Sequence, residues 1–335
     1  MRIENLSAGY SKKIIIKNLN LEVRQGEIIS LIGPNGGGKS TLLKSICGEL
    51  KSLGGTVFVG DEDIRKIPLK DLSKKMAIVN TDRVKPEHMT ALDVVLSGRL
   101  PYSDGFGLSS EDDRKEALKA CELMKITDLK DNLFGNLSDG QKQRTLIARA
   151  ICQSPRYLIM DEPTSYLDIR YRMELMEVIK KLSAQGVTII MSLHELELAL
   201  QISDKLLLID NDGGTNIMEP REALKRGVLQ ELYGLSDEMY EKVKKQLGTV
   251  TNDKERHSSY FLNKECEYYP CHKLEEEKFS CMFCYCPLYD MENCGGTYNY
   301  TDKGIKNCMD CTFPHERDNY GKVIKKLKEK MYEKN

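Results

Sequence analysis

A glycine-rich segment between a strand pattern and a helical pattern is the feature that most constrains the fold of this 335-residue chain. Residues 33–41 read Gly-Pro-Asn-Gly-Gly-Gly-Lys-Ser-Thr, after the apolar run 27–32 and before the helical spacing of 39–50. Glycines let consecutive backbone N–H groups face one anion, and the helix N-terminus adds its dipole at the same point. The segment therefore predicts a phosphate loop that binds a nucleoside triphosphate.

Two acids follow a second apolar run, residues 157–160. Asp161 is predicted to hold Mg²⁺ or its water, and Glu162 to orient the attacking water or accept its proton. In the phosphate loop, Lys39 is predicted to place its charge against the β- and γ-phosphates, and Ser40 to offer its hydroxyl to Mg²⁺.

The remaining apolar runs predict an α/β fold. Runs at 27–32, 76–79, 157–160, 187–192 and 205–209 are typical of parallel strands buried on both faces. Helical patterns lie between them at 112–124, 141–152 and 171–184, and residues 2–8 and 19–24 predict a pair of edge strands. Residues 221–247 are predicted to be helical.

The charge balance and hydropathy exclude two function classes. The chain has 50 Lys plus Arg against 51 Asp plus Glu, which excludes binding of nucleic acid by bulk positive charge. No apolar stretch approaches the roughly 18 residues of a membrane span, and the N-terminus has no signal-peptide core. Any membrane role is therefore expected to come through a partner.

Two further motifs are ambiguous when taken singly. Residues 137–141 read Leu-Ser-Asp-Gly-Gln and open a predicted helix, so they fit either an ordinary N-cap or a second anion site. His194 follows the strand pattern 187–192 and fits either a buried histidine or a functional one.

Taken in order, these motifs resemble the ATP-binding-cassette (ABC) ATPase family over roughly residues 1–245. The resemblance implies a P-loop cassette with a mixed sheet core and a helical subdomain near 83–155. It makes 33–41 the Walker A loop, 137–141 the signature, 157–161 Walker B and 165–168 the D-loop. The implied nucleotide-binding residues are Tyr10 (stacked on adenine), Gly33, Asn35, Gly36, Gly38, Lys39, Ser40, Thr41, Ser138, Gly140, Gln141 and Asp168. The implied catalytic residues are Glu162, the switch histidine His194 and Lys39.

The resemblance also implies partners. It predicts a head-to-tail homodimer in which each ATP lies between the phosphate loop of one copy and Ser138 and Gly140 of the other. Transmembrane permease subunits and a substrate-binding protein complete such a transporter, and the ATPase lies at the cytoplasmic face of the membrane. ATP and Mg²⁺ are the implied cofactors, and no nucleic-acid partner is expected.

Two positions depart from the family pattern. Thr81 stands where the family has a glutamine that contacts Mg²⁺ and relays the nucleotide state, with Asn80 and Asp82 as nearby substitutes. Asp139 stands in the signature where glycine is usual. Neither change is expected to abolish hydrolysis.

Residues 89–102, which end in Gly-Arg-Leu-Pro-Tyr, bear on the substrate. They resemble a helical-subdomain segment of ATPases that serve iron–siderophore, haem and cobalamin importers. The alternative is a surface helix that enters a Pro-Tyr turn.

Eight of the 11 cysteines lie within residues 266–311. Such a cluster fits a disulfide framework or a metal site, and fusion to an ATPase that needs cytosolic ATP favours metal, because thiols stay reduced there. Thiolate sets suit Zn²⁺ or an iron–sulfur cluster, and a thioredoxin-like redox role lacks its βαβ context. The predicted ligands are Cys266, Cys271, Cys281, Cys284, Cys286, Cys294, Cys308 and Cys311.

The segment around these cysteines resembles the cysteine-rich small domain, an appendage found on proteins of corrinoid metabolism. The predicted organisation is a nucleotide-binding domain at 1–248, a linker at 249–258, the cysteine-rich domain at 259–320 and a basic helix at 321–335. The predicted function is the ATP-hydrolysing subunit of an importer for cobalamin, another corrinoid or a ferric siderophore. The alternative is a soluble, non-transport ABC ATPase with a metal- or redox-sensing tail that acts in cofactor assembly.

Overall fold

The computed structural model describes residues 1–11, 13–80, 86, 88–103, 110–248, 286–289, 291–301, 304, 306–308 and 310–332. The chain divides into two compact units, Met1–Thr251 and Asn252–Asn335, and each is considered by itself. None of the helices in the described ranges is both long enough and apolar enough to cross a membrane.

The first unit contains two sheets within its described residues. Its strands are β1 (Arg2–Tyr10), β2 (Lys13–Glu22), β3 (Ile28–Ile32), β4 (Gly54–Val59), β5 (Glu62–Asp63), β6 (Met76–Val79), β7 (Tyr157–Met160), β8 (Thr188–Ser192), β9 (Lys205–Ile209) and β10 (Thr215–Met218). The smaller sheet is antiparallel in the order β2-β1-β4-β5. The larger has the order β10-β9-β3-β8-β7-β6 and is parallel except for β10.

The helices lie around this larger sheet. They are α1 (Lys39–Ile46), α2 (Leu69–Lys75), α3 (Ala91–Leu96), α4 (Glu111–Leu123), α5 (Asp139–Cys152), α6 (Ile169–Ala184), α7 (Leu196–Ile202), α8 (Pro220–Lys225), α9 (Val228–Tyr233) and α10 (Asp237–Gly248). Short 3₁₀ turns occur at Ile64–Lys66, Ser97–Tyr102, Thr127–Leu129 and Phe134–Asn136. The predicted α/β fold with a mixed sheet is confirmed.

The larger sheet separates two apolar cores, and this explains its continuous apolar runs. In β3, Ile28 and Ile32 face one core while Ile29 and Leu31 face the other. Strands β7, β8 and β9 alternate in the same way. Because successive side chains point to opposite faces, a strand covered on both sides is apolar at most positions.

Three of the predicted strand and helix limits differ clearly from those in the structure. Strand β2 begins at Lys13 rather than at residue 19, because it pairs with β1 along nearly its whole length. Helix α1 ends at Ile46 instead of continuing to residue 50, and Gly48 follows with a φ of 81°. The helical stretch predicted at 221–247 is broken at Gly227 and Gly234, which adopt left-handed conformations that glycine tolerates.

The Gly-Arg-Leu-Pro-Tyr segment has a structural role inside the helical layer of α3, α4 and α5. The Arg99 guanidinium donates to Asp113 Oδ1 at 2.8 Å and to the Cys152 carbonyl at 3.1 Å, and its Cζ lies 4.0 Å from the Tyr102 ring centroid. A Cβ on Gly98 would lie 2.3 Å from the Arg149 carbonyl oxygen. The motif therefore joins α4 to the end of α5, and part of its sequence pattern serves packing.

The described part of the second unit has a hairpin, two 3₁₀ turns and one longer helix. These are β11 (Asn299–Tyr300), β12 (Lys306–Asn307), the turns Phe313–His315 and Arg317–Asn319, and α11 (Tyr320–Tyr332). Its small core contains Leu288, Cys294 and Val323. The linker predicted at 249–258 lies outside the described residues.

Candidate nucleotide site

The phosphate loop joins the end of β3 to the start of α1. Gly38 precedes α1 with a φ of 98°, and a Cβ there would lie 2.5 Å from the Ile15 side chain. A Cβ on Gly33 would lie 2.2 Å from the carbonyl oxygen of Ile209 in β9. These two glycines are required because both neighbouring strands approach the loop closely.

Lys39 is buried at the first position of α1. Its Nζ donates to the carbonyl oxygens of Gly33 at 2.8 Å and Pro34 at 3.0 Å. Burial lowers the pKa of Lys39, while the negative charges of Asp161 and Glu162 act in the opposite direction. The structure thus brings the loop lysine within electrostatic reach of both acids.

Asp161 is buried at the end of β7 and is held by a residue that the sequence analysis missed. The Ser192 hydroxyl donates to Asp161 Oδ1 at 2.6 Å and accepts the backbone N–H of Glu162 at 2.8 Å. One hydroxyl at the end of β8 therefore orients both acidic residues. The only sequence signal for it was a serine at a strand end, two residues before His194.

Glu162 has a positive φ of 48°, which non-glycine residues rarely adopt. Its Oε1 lies 2.5 Å from His194 Nε2, and its Oε2 accepts from the Ser165 hydroxyl at 3.2 Å. Such strained conformations persist at functional sites when the surroundings hold them. The His194 side chain is 42% exposed beside the acid, so its interpretation as a buried core histidine is wrong.

The other residues predicted to bind the nucleotide differ in exposure. Asn35 and Gly36 are exposed, Ser40 is half-buried and Thr41 is buried in α1. Tyr10 is 49% exposed at the end of β1, so its ring face is available for stacking. A buried ammonium, a buried carboxylate and the N-terminus of α1 form a donor set that fits a magnesium nucleotide.

Ser138 and Gln141 cap helix α5. The Ser138 Oγ accepts the Gln141 N–H at 3.3 Å, and the Gln141 side chain accepts the Ser138 N–H at 2.9 Å. This reciprocal pair is a capping box. A Cβ on Gly140 would lie 2.8 Å from the Tyr166 carbonyl oxygen, so the signature and the D-loop are in close contact.

Side chains of the signature and of the D-loop line a cavity of about 430 Å³. Asp168 stands at its edge as the N-cap of α6 and accepts the Tyr171 N–H at 3.0 Å. The predicted site residues thus form two groups, one at the phosphate loop and one at the signature. The second is lined by Ser138, Asp139, Gly140, Gln141, Arg144, Tyr166, Leu167, Asp168 and Tyr171.

Thr81, which stands at the position of the family glutamine, lies outside the described residues, and so does Asp82. Asn80 is described, and its amide nitrogen lies 3.1 Å from both carboxylate oxygens of Glu49. The Asn80 side chain is therefore engaged with Glu49 in this structure.

Known proteins are similar to this chain in sequence. The chain is 42% identical over 244 residues to an ABC transporter ATP-binding protein of Methanocaldococcus jannaschii, covering 72% of this chain and 84% of the relative. The chain belongs to the ABC transporter family of ATP-binding proteins. It is also 34% identical to the iron(3+)-hydroxamate import ATP-binding protein FhuC of Bacillus subtilis, over 70% of this chain and 88% of that protein. The family's sequence profile, described as ABC transporter, matches residues 16–165.

Two solved ABC structures match the fold. A metal-chelate-type ABC transporter in an inward-facing conformation aligns with a TM-score of 0.61 and 28% identity, over 70% of this chain and 88% of that one. A dimeric ATP-binding cassette in a post-hydrolysis state, bound to ADP and Pi, aligns with a TM-score of 0.58 and 27% identity, over 66% and 98%. ABC cassettes are ATPases coupled to transport, and their subunits dimerise and work with permease components.

The second unit matches a different family profile, the cysteine-rich small domain, over residues 257–335. Burial raises the pKa of the Cys286 and Cys308 thiols, and nearby Cys294 and Cys311 act in the same direction. Within the described ranges, no three His, Cys, Asp or Glu side chains are arranged to hold a metal ion. Cys266, Cys271, Cys281 and Cys284 lie outside those ranges, so the eight-cysteine site stays a prediction.

Proposed function

We propose that this chain is the ATP-hydrolysing subunit of an importer for ferric siderophores or similar metal chelates. The observation that carries the proposal is its similarity, over most of their length, to ATP-binding proteins named for iron-hydroxamate and siderophore transport. A permease and a substrate-binding protein are the proposed partners, and the subunit lies at the cytoplasmic face of the membrane. These relatives favour transport over a soluble sensor.

The site residues have separate roles in this proposal. Glu162 accepts a proton from the attacking water, and His194 holds its carboxylate in place. Lys39 neutralises charge on the transferred phosphoryl group. Ser40 and Asp161 hold Mg²⁺, which supplies further charge neutralisation when bound, and Thr81 is the third proposed ligand.

The signature group serves a second copy of the chain. Ser138, Gly140 and Gln141 present a capped helix N-terminus, and Asp168 lies beside them. In the proposed head-to-tail homodimer, this face completes the site built on the partner's phosphate loop. A monomer is therefore expected to bind ATP and to hydrolyse it slowly.

Uptake by the reconstituted transporter tests the substrate class. The full chain is co-purified with its permease, placed in liposomes and supplied with labelled ferric hydroxamate or labelled cobalamin. We expect ATP-dependent uptake of the ferric chelate, and none with Glu162→Gln. Uptake of cobalamin alone would make the substrate class wrong, and repeated purification without any membrane protein would contradict the importer function.

We also propose that the cysteine-rich unit binds Zn²⁺ or an iron–sulfur cluster through its eight cysteines. The spacing of these cysteines in the sequence and the match of residues 257–335 to the cysteine-rich small domain support it. Metal analysis and the visible spectrum of the anaerobically purified full chain test the proposal. Bound zinc without colour indicates a tetrahedral thiolate site, and absorbance with bound iron indicates a cluster. Eight free thiols without either metal would contradict both.

A further inference from the structure

Arg144 is a charged residue buried in the helix that carries the signature. Only 6% of it is exposed. Its Nη1 donates to the Lys125 carbonyl oxygen at 2.9 Å, whereas its Nε has no hydrogen-bond partner in the part of the chain that the structure describes. Burying a guanidinium with an unpaired donor is unfavourable, so another contact must hold it.

That contact is the ring of Tyr171. The Arg144 Cζ lies 3.8 Å from the Tyr171 ring centroid, a distance typical of a close cation–π stack. Such stacks are stronger where the cation is buried, and Arg144 is among the buried charged residues. The Arg144 side chain therefore crosses from α5 to α6.

Tyr171 lies in the first turn of α6, immediately after the D-loop. Its backbone N–H donates to Asp168, the N-cap of that helix. One turn of α5 before Arg144, Gly140 lies against the Tyr166 carbonyl oxygen. The signature and the D-loop are thus joined at two levels, by a backbone contact and by the Arg144–Tyr171 stack.

An ion-pair group lies nearby but is more exposed. Lys125 Nζ lies 2.8 Å from Glu174 Oε1, and Arg170 Nε lies 3.1 Å from the same atom. Exposed ion pairs contribute little to stability because water and salt screen them. The Arg144–Tyr171 stack is therefore the more buried of these contacts.

We propose that Tyr171 is a positioning residue for ATP hydrolysis. Its ring holds Arg144, and through it the signature, at a set position relative to the D-loop, so that both segments meet the partner copy as one surface. This inference rests on the proposed two-copy site. The ring face carries the function, and the Tyr171 hydroxyl is not needed.

The test compares Tyr171→Leu with Tyr171→Phe in the full chain. We expect Tyr171→Leu to lower kcat about tenfold, equivalent to ~1.4 kcal/mol, and to leave ATP affinity unchanged because the phosphate loop is intact. Tyr171→Phe keeps the ring face and should restore kcat. The matched control is Phe58→Leu, which removes a ring that Arg2 covers at 4.4 Å in the smaller sheet, and it should leave kcat unchanged.

A second measurement separates positioning from folding. In a Glu162→Gln background, which slows hydrolysis, ATP-dependent dimerisation is followed by light scattering. We expect Tyr171→Leu and Arg144→Lys, each added to this background, to weaken dimerisation. The two changes combined should weaken it no further than either alone, because both remove the same Arg144–Tyr171 stack.

Three results would overturn the inference. In the first, Tyr171→Leu leaves dimerisation equal to that of the Glu162→Gln chain and turnover equal to that of the unchanged chain. That result would overturn the inference and leave the two-copy site intact. Equal losses in the Leu and Phe variants would assign the effect to the hydroxyl instead. If the Glu162→Gln parent itself fails to dimerise with ATP, both the two-copy site and this inference are wrong.

Discussion

The imidazole Nε2 of His194 lies 2.5 Å from the carboxylate Oε1 of Glu162. The second carboxylate oxygen accepts from the Ser165 hydroxyl, and the backbone N–H of the same glutamate is bound by Ser192. The acid is therefore held at three points at the end of β7, although its backbone has an unfavourable positive φ. A carboxylate held in this way is pre-positioned to take a proton from water.

Glu162→Gln should separate binding from hydrolysis. The amide keeps the size of the side chain but cannot accept the proton of the attacking water, so turnover should fall by about 10²–10⁴-fold. ATP affinity should be retained, because Lys39 and the loop are unchanged. Phosphate release and calorimetric ATP binding measure the two effects. Glu177→Gln, an exposed position on α6, is the control, and normal turnover in Glu162→Gln would remove this acid from the mechanism.

Ser192→Ala should impair the site and the fold together. It removes the hydroxyl that binds Asp161 at 2.6 Å and leaves the Glu162 N–H without its partner, which should lower the free energy of unfolding by about 1–3 kcal/mol. Turnover should fall as well, because both acids lose their support. Urea unfolding and ATPase assays measure these changes.

The matched control for that variant is Ser203→Ala. The Ser203 hydroxyl donates to Ser30 at the same distance of 2.6 Å, but this pair is neutral and is remote from the acids in the sequence. We expect a smaller loss of stability and unchanged turnover. Equal turnover in Ser192→Ala and Ser203→Ala would show that Ser192 only supports the fold.

The contrast between Ser192 and Glu162 shows what the sequence could predict. Glu162 was predicted because it follows an apolar strand next to Asp161, which is a local pattern. Ser192 acts through contacts with residues about thirty positions earlier, and no local pattern reports such contacts. The buried strands were predictable for the same reason as Glu162, since a strand covered on both faces is apolar at most positions.

Boundaries set by tertiary pairing were less predictable. Strand β2 begins at Lys13 because it pairs with β1 along that stretch, and the apolar run Ile14–Ile16 is a local signal that the predicted range 19–24 left out. Single glycines at positions 227 and 234 are compatible with a continuous helix pattern, yet both adopt left-handed conformations and mark the start and the end of α9. The contact between Gly140 and Tyr166 could not be predicted from a local pattern either, because it joins segments that are distant in the sequence.

Lys39→Ala should weaken nucleotide binding. The ammonium lies among the loop carbonyls and is the positive side chain of this site, so its loss should lower ATP affinity at least about tenfold, or ~1.4 kcal/mol. The stabilisation that saturating ATP gives to the folded chain should shrink accordingly. Calorimetry and thermal shift measure both, with the exposed Lys51→Ala as control. Normal affinity in Lys39→Ala would contradict this role.

Gly140→Ala should reduce turnover while ATP binding stays normal. The added methyl group would lie 2.8 Å from the Tyr166 carbonyl oxygen, so the D-loop or the start of α5 must move. Turnover should fall about tenfold or more if that shift costs ~1.4 kcal/mol in the transition state. Gly321→Ala in α11 is the control, because its added Cβ would meet no described atom within 4 Å outside the adjacent turns of its own helix. Unchanged turnover in Gly140→Ala would mean that the close contact has no functional consequence.

The three cysteines of the first unit predict a loss of stability at alkaline pH. Cys47, Cys121 and Cys152 are buried, and burial raises their pKa from 9.0 to about 12, 11 and 12. Above pH 9 the unfolded chain releases these thiol protons while the folded chain keeps them. The unfolded state then binds fewer protons, so the contribution of these three thiols to stability is constant well below pH 9 and falls as the pH rises towards 11–12.

Each such thiol should contribute a slope of about 1.4 kcal/mol per pH unit in that window. Urea unfolding at pH 8, 9 and 10 under reducing conditions measures the slope for the natural chain and for a variant with Ala at all three positions. Lysines, tyrosines and the cysteines of the second unit titrate in both proteins, so the difference between the slopes isolates the three buried thiols. The variant should be less stable at pH 8, because replacing each buried cysteine with alanine leaves a cavity in the core. It should lose stability more slowly above pH 9. Parallel slopes would show that these thiols titrate alike in the folded and unfolded states.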